Sequence, residues 1–392
     1  MTVNVSKPAF NIREKLSELD RPVGNHGTQL MQSADAEESF NLVRAGRKNL
    51  IINGEHKIWQ RGTSTQSAAG TSLVFGSDRW MFEEGCTQLV ATISRSYSVP
   101  DGERFQYSAQ INVDTAETSI TSGDFAQYMY FVEGYDFASL RWGTAHAKPV
   151  TLSFWFRTTV SGDHYVSFNS NGGTDTWSTL IHSPADTWKK HVVTVDPPTS
   201  GSWGATNGRG LEIRIGLCAS PSVHQSVWDK WYYGGAAYNG FSTANSNLIL
   251  TAGNKAYLTG VQLEEGTVAT PFEHRSYGEE LALCHRYYQF IDGTSDQIAF
   301  GYGRCNGSTI AEITIPLSVP LAVSPNLTCT QNGCWDSDGG HTSTTAPTVR
   351  LWNKNTATLA VAFGGHSGLT NARSCVVTCS NNSDFIMDAE LV

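Results

Sequence analysis

The stretch Tyr257–Tyr288, YLTGVQLEEGTVATPFEHRSYGEELALCHRYY, decides how the rest of the chain is read. It opens in strict alternation. Tyr257, Thr259, Val261 and Leu263 fall on one face of a strand and Leu258, Gly260 and Gln262 on the other, because successive strand side chains point to opposite sides. Glu264, Glu265 and Gly266 end that strand. Thr270 precedes Pro271, whose ring clashes with a helical residue before it, so the chain leaves in an extended path. After Arg275 the period changes, with Leu281, His285 and Tyr288 at helix-like spacing. This reads as the last strand of one β domain, a short exit, and a helical or turn-like joint over 276–290.

Upstream, period-2 or continuous apolar runs predict further strands at Leu50–Ile52, Gln88–Tyr97, Tyr107–Val113, Gln127–Glu133, Val150–Thr158, Tyr165–Asn169, Lys190–Val195 and Leu211–Leu217. In Val150–Thr158 the apolar set Leu152, Phe154 and Phe156 forms a core face. Thr151, Ser153, Trp155 and Arg157 form an opposite face, polar with one Trp, suited to an open concave side. Turns of Gly, Asn, Ser and Asp separate the strands, and no helical pattern intervenes, which excludes a parallel α/β sheet. The expectation is mainly β: an antiparallel jelly-roll sandwich over 49–275, with Leu50–Ile52 closing against Tyr257–Leu263.

Residues 291–392 read as a smaller C-terminal β-sandwich, with strands at Gln297–Tyr302, Thr309–Leu317, Asn326–Cys329, Thr348–Trp352, Leu359–Phe363, Cys375–Cys379 and Phe385–Leu391. Residues 1–48 carry two short helices. Ile12, Leu16 and Leu19 make one stripe. The second spans Ala34–Ala45, carries Phe40 and Val43, is capped by Ser33 and is stopped by Gly46. Helices this short are marginal alone in water, so their stripes need a partner: the following domain or further copies of the chain.

Composition bounds the rest. Of 392 residues, charged ones are 16% and aromatic ones 11%, with 37 Gly and 11 Trp. That suits a turn-rich β protein and excludes a disordered chain. The net charge of −9 and the lack of a basic run argue against nucleic acid. No apolar stretch is long enough to span a membrane, and the opening MTVNVSKPAF lacks a signal peptide's apolar core, so synthesis in a cytoplasm is expected. The eight cysteines concentrate towards the C-terminus. Their spacings are not a paired C-x2-C set, and they are read as small buried thiols.

Candidate sites are aromatic. Trp228, Trp231, Tyr232, Tyr233 and Tyr238 crowd one Gly- and Asn-rich loop, and Trp177 and Trp203 sit in similar loops. Flat rings stack on the apolar C–H faces of sugars, while Asn, Asp and Ser bond hydroxyls; loop packing is the competing account. In the last domain Trp335, Asp336 and His341 (in CWDSDGGHTST) and His366 (in GGHSGLTNAR) read as tip loops. Asp336, Asp338 and His341 do not complete a four-ligand set, and no metal or cofactor is expected. Asp163, Asp175, Asp186, Glu264 and Glu265 are scattered, and no pair stands out for acid–base work, so an enzyme is not expected.

Three segments carry a family resemblance: NIREKLSELDRPVGNHG (Asn11–Gly27), NLIINGEHKIWQRGTS (Asn49–Ser64) with SDRW at Ser77–Trp80, and the Tyr257–Tyr288 stretch. Together they resemble tail fibre proteins of tailed phages, particularly those of marine phages and cyanophages, over roughly the first three-quarters of the chain. The resemblance implies a virion protein with a carbohydrate-binding-module-like jelly roll, assembled as a homotrimer. It implies attachment to phage tail (adaptor or nozzle) proteins through Ile12, Leu16, Leu19, Phe40 and Val43, and a host glycan or lipopolysaccharide as receptor. A polysaccharide-cleaving tailspike and a purely structural tail adaptor are the alternatives.

Overall fold

The computed structural model describes residues 47–70, 72–172, 174–220, 228–233, 248–293, 298–339, 341–345, 347–354, 358–379 and 383–391. Residues Asn49–Val392 form one compact unit, mainly β and antiparallel throughout its named strands. Among the described residues it holds two large hydrophobic cores and a small cluster around Tyr165 and Ala219.

The larger core lies between two sheets of a jelly-roll sandwich. One has six strands in the order Ser64–Gln66, Val90–Ser96, Ser108–Thr115, Lys255–Glu265, Val150–Thr158, Lys189–Val195. The other has seven: Trp231–Tyr232, Thr176–Ser183, Gly162–Asn169, Arg209–Ala219, Phe125–Glu133, Trp80–Glu84, Ser72–Phe75. Leu152, Phe154 and Phe156 are fully buried and face Trp80, Phe82, Tyr128 and Ile213 within one cluster. Each such side chain contributes about 1.5–3 kcal/mol of burial. Trp80 stacks on Tyr128 with centroids 5.3 Å apart.

The alternation read in Tyr257–Leu263 is corrected. Leu258 lies opposite Phe156 and Leu263 opposite Leu152, all in the core, so the inward parity changes from even to odd along one strand. Thr259 and Gln262 are three positions apart, whereas their partners Trp155 and Ser153 are two apart, which is a β-bulge. Gly260 makes it possible: its φ is +63°, and a Cβ there would lie 2.5 Å from Phe105 Cζ. Gly260→Ala is expected to lower stability by about 2 kcal/mol or more, from left-handed strain plus overpacking, read as a lower urea midpoint. An unchanged midpoint would show that the bulge tolerates a side chain.

Leu50–Ile52 is not a regular strand. Asn49 replaces the ladder with its side chain, which accepts from Leu263 N (3.0 Å) and donates to Val261 O (3.1 Å). Leu50 N bonds Leu263 O at 2.9 Å, so the first segment does close against the last strand. The predicted joint contains a helix, Tyr277–His285, with Ser276 Oγ accepting from Glu279 N. Tyr288 lies beyond it, in strand Tyr288–Ile291.

The smaller core lies between a three-stranded sheet (Tyr288–Ile291, Phe385–Asp388, Asn326–Cys329) and a seven-stranded one. The latter runs His341–Thr344, Asn332–Asp336, Ser374–Cys379, Ala299–Asn306, Ile310–Pro316, Thr358–Gly364, Thr348–Lys354. Phe300, Phe363 and Phe385 meet at its centre. Cys86, Cys218, Cys284, Cys305, Cys329, Cys334 and Cys375 are all buried, with no disulfide among the described residues.

A buried polar seam ties the two cores together. Arg79 pairs with Glu390, both almost fully buried, and its guanidinium lies 3.5 Å from the Tyr287 ring centroid. Arg61 bonds Asp388 at 3.0 Å, and Glu133 accepts from Arg286 and from Tyr287 Oη. Asp78, Arg79 and Trp80 of SDRW are thus interior residues of this joint and its flank.

Candidate functional site

The outer face of the six-stranded sheet carries the best-formed site. With Leu152, Phe154 and Phe156 turned inward, Trp155 and Arg157 must project outward. Strand pairing sets Thr259 beside Trp155 and Tyr257 beside Arg157. The turn before Lys189–Val195 folds back on the end of this strand, Asp186 N donating to Thr158 O at 2.7 Å. Asp186 itself adopts φ +52°, and its carboxylate receives Arg157 Nη2 at 3.1 Å. Ser98 Oγ receives Nη1 at 3.1 Å.

These residues frame an open groove of about 790 Å³ lined by Tyr97, Asp101, Trp155, Arg157, Asp186 and Trp188. Trp188 packs on Tyr257 with centroids 6.1 Å apart, and the Arg157 guanidinium stands 5.2 Å from the Tyr257 ring centroid. Burial pushes the Tyr257 phenol above its usual range; Arg157 opposes this and Asp186 adds to it, and the phenol stays neutral. Arg157 Nε and Trp188 Nε1 have no hydrogen-bond partner. Both atoms are shielded from solvent, and it is the rings, the Asp186 carboxylate and the Arg157 guanidinium along the groove that suit a ligand offering both hydroxyls and apolar C–H faces.

Tyr97 is 72% exposed and contacts Tyr107 at 5.3 Å. Tyr107 lines a second groove of about 650 Å³ with Lys57, Arg95, Arg104, Tyr277 and His285. Three fixed cations against Glu55 make this groove locally positive on an acidic chain.

The aromatic residues singled out by sequence are placed differently. Trp177 is 4% exposed and meets Phe168 edge-on, so it is a core residue. Trp203 and Trp231 are half-buried and form T-shaped contacts of 5.0–5.3 Å with each other and with Trp142. Trp231 Nε1 donates to Asp196 O. Their area goes into packing around Trp142 and Phe137. Trp228 and Tyr232 are half-buried, and Tyr233 is 50% exposed. Tyr238, like Ile12, Leu16, Leu19, Phe40 and Val43, lies outside the described residues.

In the distal part, Trp335, Asp336 and His341 belong to a hairpin and not to a loop: Trp335 pairs with His341 across it, rings 4.2 Å apart. His366 is 3% exposed, so it presents nothing at a tip. Among the scattered carboxylates, Glu264 is buried, accepting from Thr270 N (2.8 Å), Thr270 Oγ1 (2.7 Å) and Gln262 Nε2 (2.8 Å). It pins the exit loop. Asp163 instead pairs with His182 at the surface.

Sequence reading identified the Trp155 and Arg157 face but missed Trp188, Tyr97 and Tyr257 as its companions. Trp188 carried a signal: it stands one residue before a strand, where the register set by Lys189 opposite Phe156 continues to Arg157.

No family model matches the chain, and no curated protein matches it. Solved structures similar to it include the enzymatically active domain of tailspike protein 4 of bacteriophage CBA120, with 14% identity over 56% of this chain and 21% of that one (TM-score 0.30). An arabinose-bound α-L-arabinofuranosidase has 14% identity over 56% of this chain and 27% of that one (TM-score 0.29). A family 11 carbohydrate-binding module of a Clostridium thermocellum cellulase has 12% identity over 52% of this chain and 100% of that one (TM-score 0.26). The chain therefore spans 21% and 27% of the lengths of the first two.

Proposed function

We propose that the chain is a glycan-binding adhesin of a phage tail fibre, and that the Trp155–Arg157–Trp188 groove holds the sugar. The observation that carries the glycan reading is an open groove walled by Tyr97, Trp155 and Trp188 with the Arg157–Asp186 pair across it. The rings supply stacking area, and Arg157, Asp186 and Ser98 supply polar contacts to hydroxyls. Placement in a virion, homotrimeric assembly and joining to tail proteins through residues 1–48 rest on the resemblance of Asn11–Gly27, Asn49–Ser64 and Tyr257–Tyr288 to tail fibres. Several copies per particle multiply a weak single-site affinity, because the second contact is intramolecular.

Binding without cleavage is the reading taken. Asp101 and Asp186 both line the groove, but Asp186 is held by Arg157. The test mixes the purified full chain with a panel of bacterial capsular and lipopolysaccharide glycans and follows retention and new reducing ends together. Retention without new ends is expected. Trp155→Ala and Trp188→Ala should each weaken retention about tenfold or more, the loss of roughly 1.4 kcal/mol or more of stacking. Trp231→Ala should lower thermal stability yet leave retention by the folded protein unchanged. Retention lost only with Trp231→Ala would move the site to the loop; new reducing ends abolished by Asp186→Asn would make the protein an enzyme.

A further inference from the structure

Three adjacent strands of the distal seven-stranded sheet each direct a cysteine into the smaller core: Asn332–Asp336 gives Cys334, Ser374–Cys379 gives Cys375 and Ala299–Asn306 gives Cys305. Their Sγ atoms all lie within 4.8 Å of one another. Strand register places Cys305 and Cys334 on the two strands that flank Cys375. Cys375 lies opposite Gly303 on one side and Asp336 on the other, so Cys305 and Cys334 are its diagonal neighbours, two residues along each flanking strand. Diagonal positions stand about 7–8 Å apart at Cα, whereas a disulfide usually needs Cα atoms about 4.4–6.8 Å apart. That separation disfavours a cross-link to Cys375, while the side chains nevertheless bring all three sulfurs around a common point. Zinc–sulfur bonds of about 2.3 Å in a tetrahedron put sulfurs about 3.8 Å apart, within reach of small side-chain rotations here.

We propose that Cys305, Cys334 and Cys375 form a structural binding site for a closed-shell thiophilic cation, Zn2+, that clamps three strands of the distal sheet. Zn2+ and three thiols give a tristhiolate with net charge −1 and release three protons. Asp336 lies directly across from Cys375 on the same face as Cys334, with Oδ1 accepting from Asp338 N at 3.1 Å; the fourth position is left to water or to a rotation of this carboxylate. Asp336 already acts electrostatically on both Cys305 and Cys375. Apolar neighbours in the same core, Ile313, Phe363 and Val377, keep the sulfurs away from bulk water and oxidants.

The full chain, purified under reducing conditions, is exposed to Zn2+ alone, gel-filtered and assayed for metal. About one Zn2+ per chain should remain, with a thermal midpoint several degrees above that of the chelator-treated protein. Co2+ in its place should show the intense near-ultraviolet charge-transfer absorption of bound thiolates. Cys334→Ser and Cys375→Ser should each lower Zn2+ affinity roughly 100-fold or more, since even supporting contacts to a ligand cost 10–100-fold. Cys329→Ser, in the same core but on the other sheet, should leave affinity unchanged. Folded, reduced protein that retains no more Zn2+ than Cys334→Ser would overturn the proposal, as would a disulfide within the trio found by mass analysis. Selective retention of Cu+ over Zn2+ would overturn the zinc assignment.

Discussion

Acidification from pH 7 to pH 4.5 is expected to remove about 4 kcal/mol of folding stability, before any surface carboxylate is considered. His56, His164 and His191 are buried, and burial lowers their pKa values to about 3, about 4 and about 4. Burial keeps them neutral: His56 Nδ1 meets Ser77 Oγ at 2.7 Å, and the bond of His164 Nδ1 to Gly216 O at 3.1 Å, which favours the cation, is outweighed by burial. Unfolded, each titrates near its ordinary value of about 6.5. The unfolded state therefore binds more protons below that pH, and stability is full above about 6.5 and lost as pH falls towards the folded values. Glu84 works the other way. Burial raises its carboxyl to about 7, so it is already protonated in the fold over most of this window and offsets about one histidine. Asp78 and Asp136, both raised by burial, act in Glu84's sense. The balance is about 2 kcal/mol per pH unit between 6.5 and 4.5. Urea midpoints across this range measure it, and replacing His164 by Gln should flatten the slope by up to about 1.4 kcal/mol per unit. A slope of zero in the parent protein would mean the histidines are hydrated in the fold.

Breaking the Arg79–Glu390 pair should cost about 3–5 kcal/mol, because Glu390→Ala leaves an uncompensated guanidinium in the interior. The two side chains are 1% and 2% exposed. Burial alone would lower the Arg79 pKa, but Glu390 together with Tyr287 and Tyr130 outweighs it and holds the charge in place. Arg79 also donates to Phe131 O and stacks over Tyr287, so it cannot retreat to water without breaking the joint. Replacing both partners by apolar residues, Arg79→Met with Glu390→Leu, should recover most of the loss, since the pair owes little net stability to being charged. The double-mutant cycle is read from urea midpoints at constant m. Equal losses in the single and double variants would show that the seam is held by packing and not by charge complementarity.

How far sequence reading reached depended on whether a signal was local. Leu152, Phe154 and Phe156 alternate with Trp155 and Arg157 inside one strand, and strand geometry alone puts the two sets on opposite faces. The closure of Leu50–Ile52 on the last strand is legible in the sequence, but its form is not: Asn49's side chain stands in for the ladder. The Trp335–His341 hairpin was read as a loop, because the polar run DSDGGHTST offers no apolar alternation. Its strands exist through pairing with Ser374–Cys379, a partner some forty residues away.

By itself the sequence determined the class of structure: apolar period-2 runs divided by turn residues can bury their faces only in stacked antiparallel sheets. It also placed Trp155 and Arg157 on the face away from the core. Tertiary structure decided which aromatic rings face water. Trp231 and Trp203 found Trp142 to pack against, whereas Trp188 and Tyr97, far apart in sequence, came to the two sides of Arg157. It also decided that Gly260 shifts the register and that three thiols from separate strands converge. The physical reason is the same throughout. A residue's hydrophobicity fixes its preference for burial locally, but its neighbours across a sheet are set by register and crossover, which no local pattern encodes.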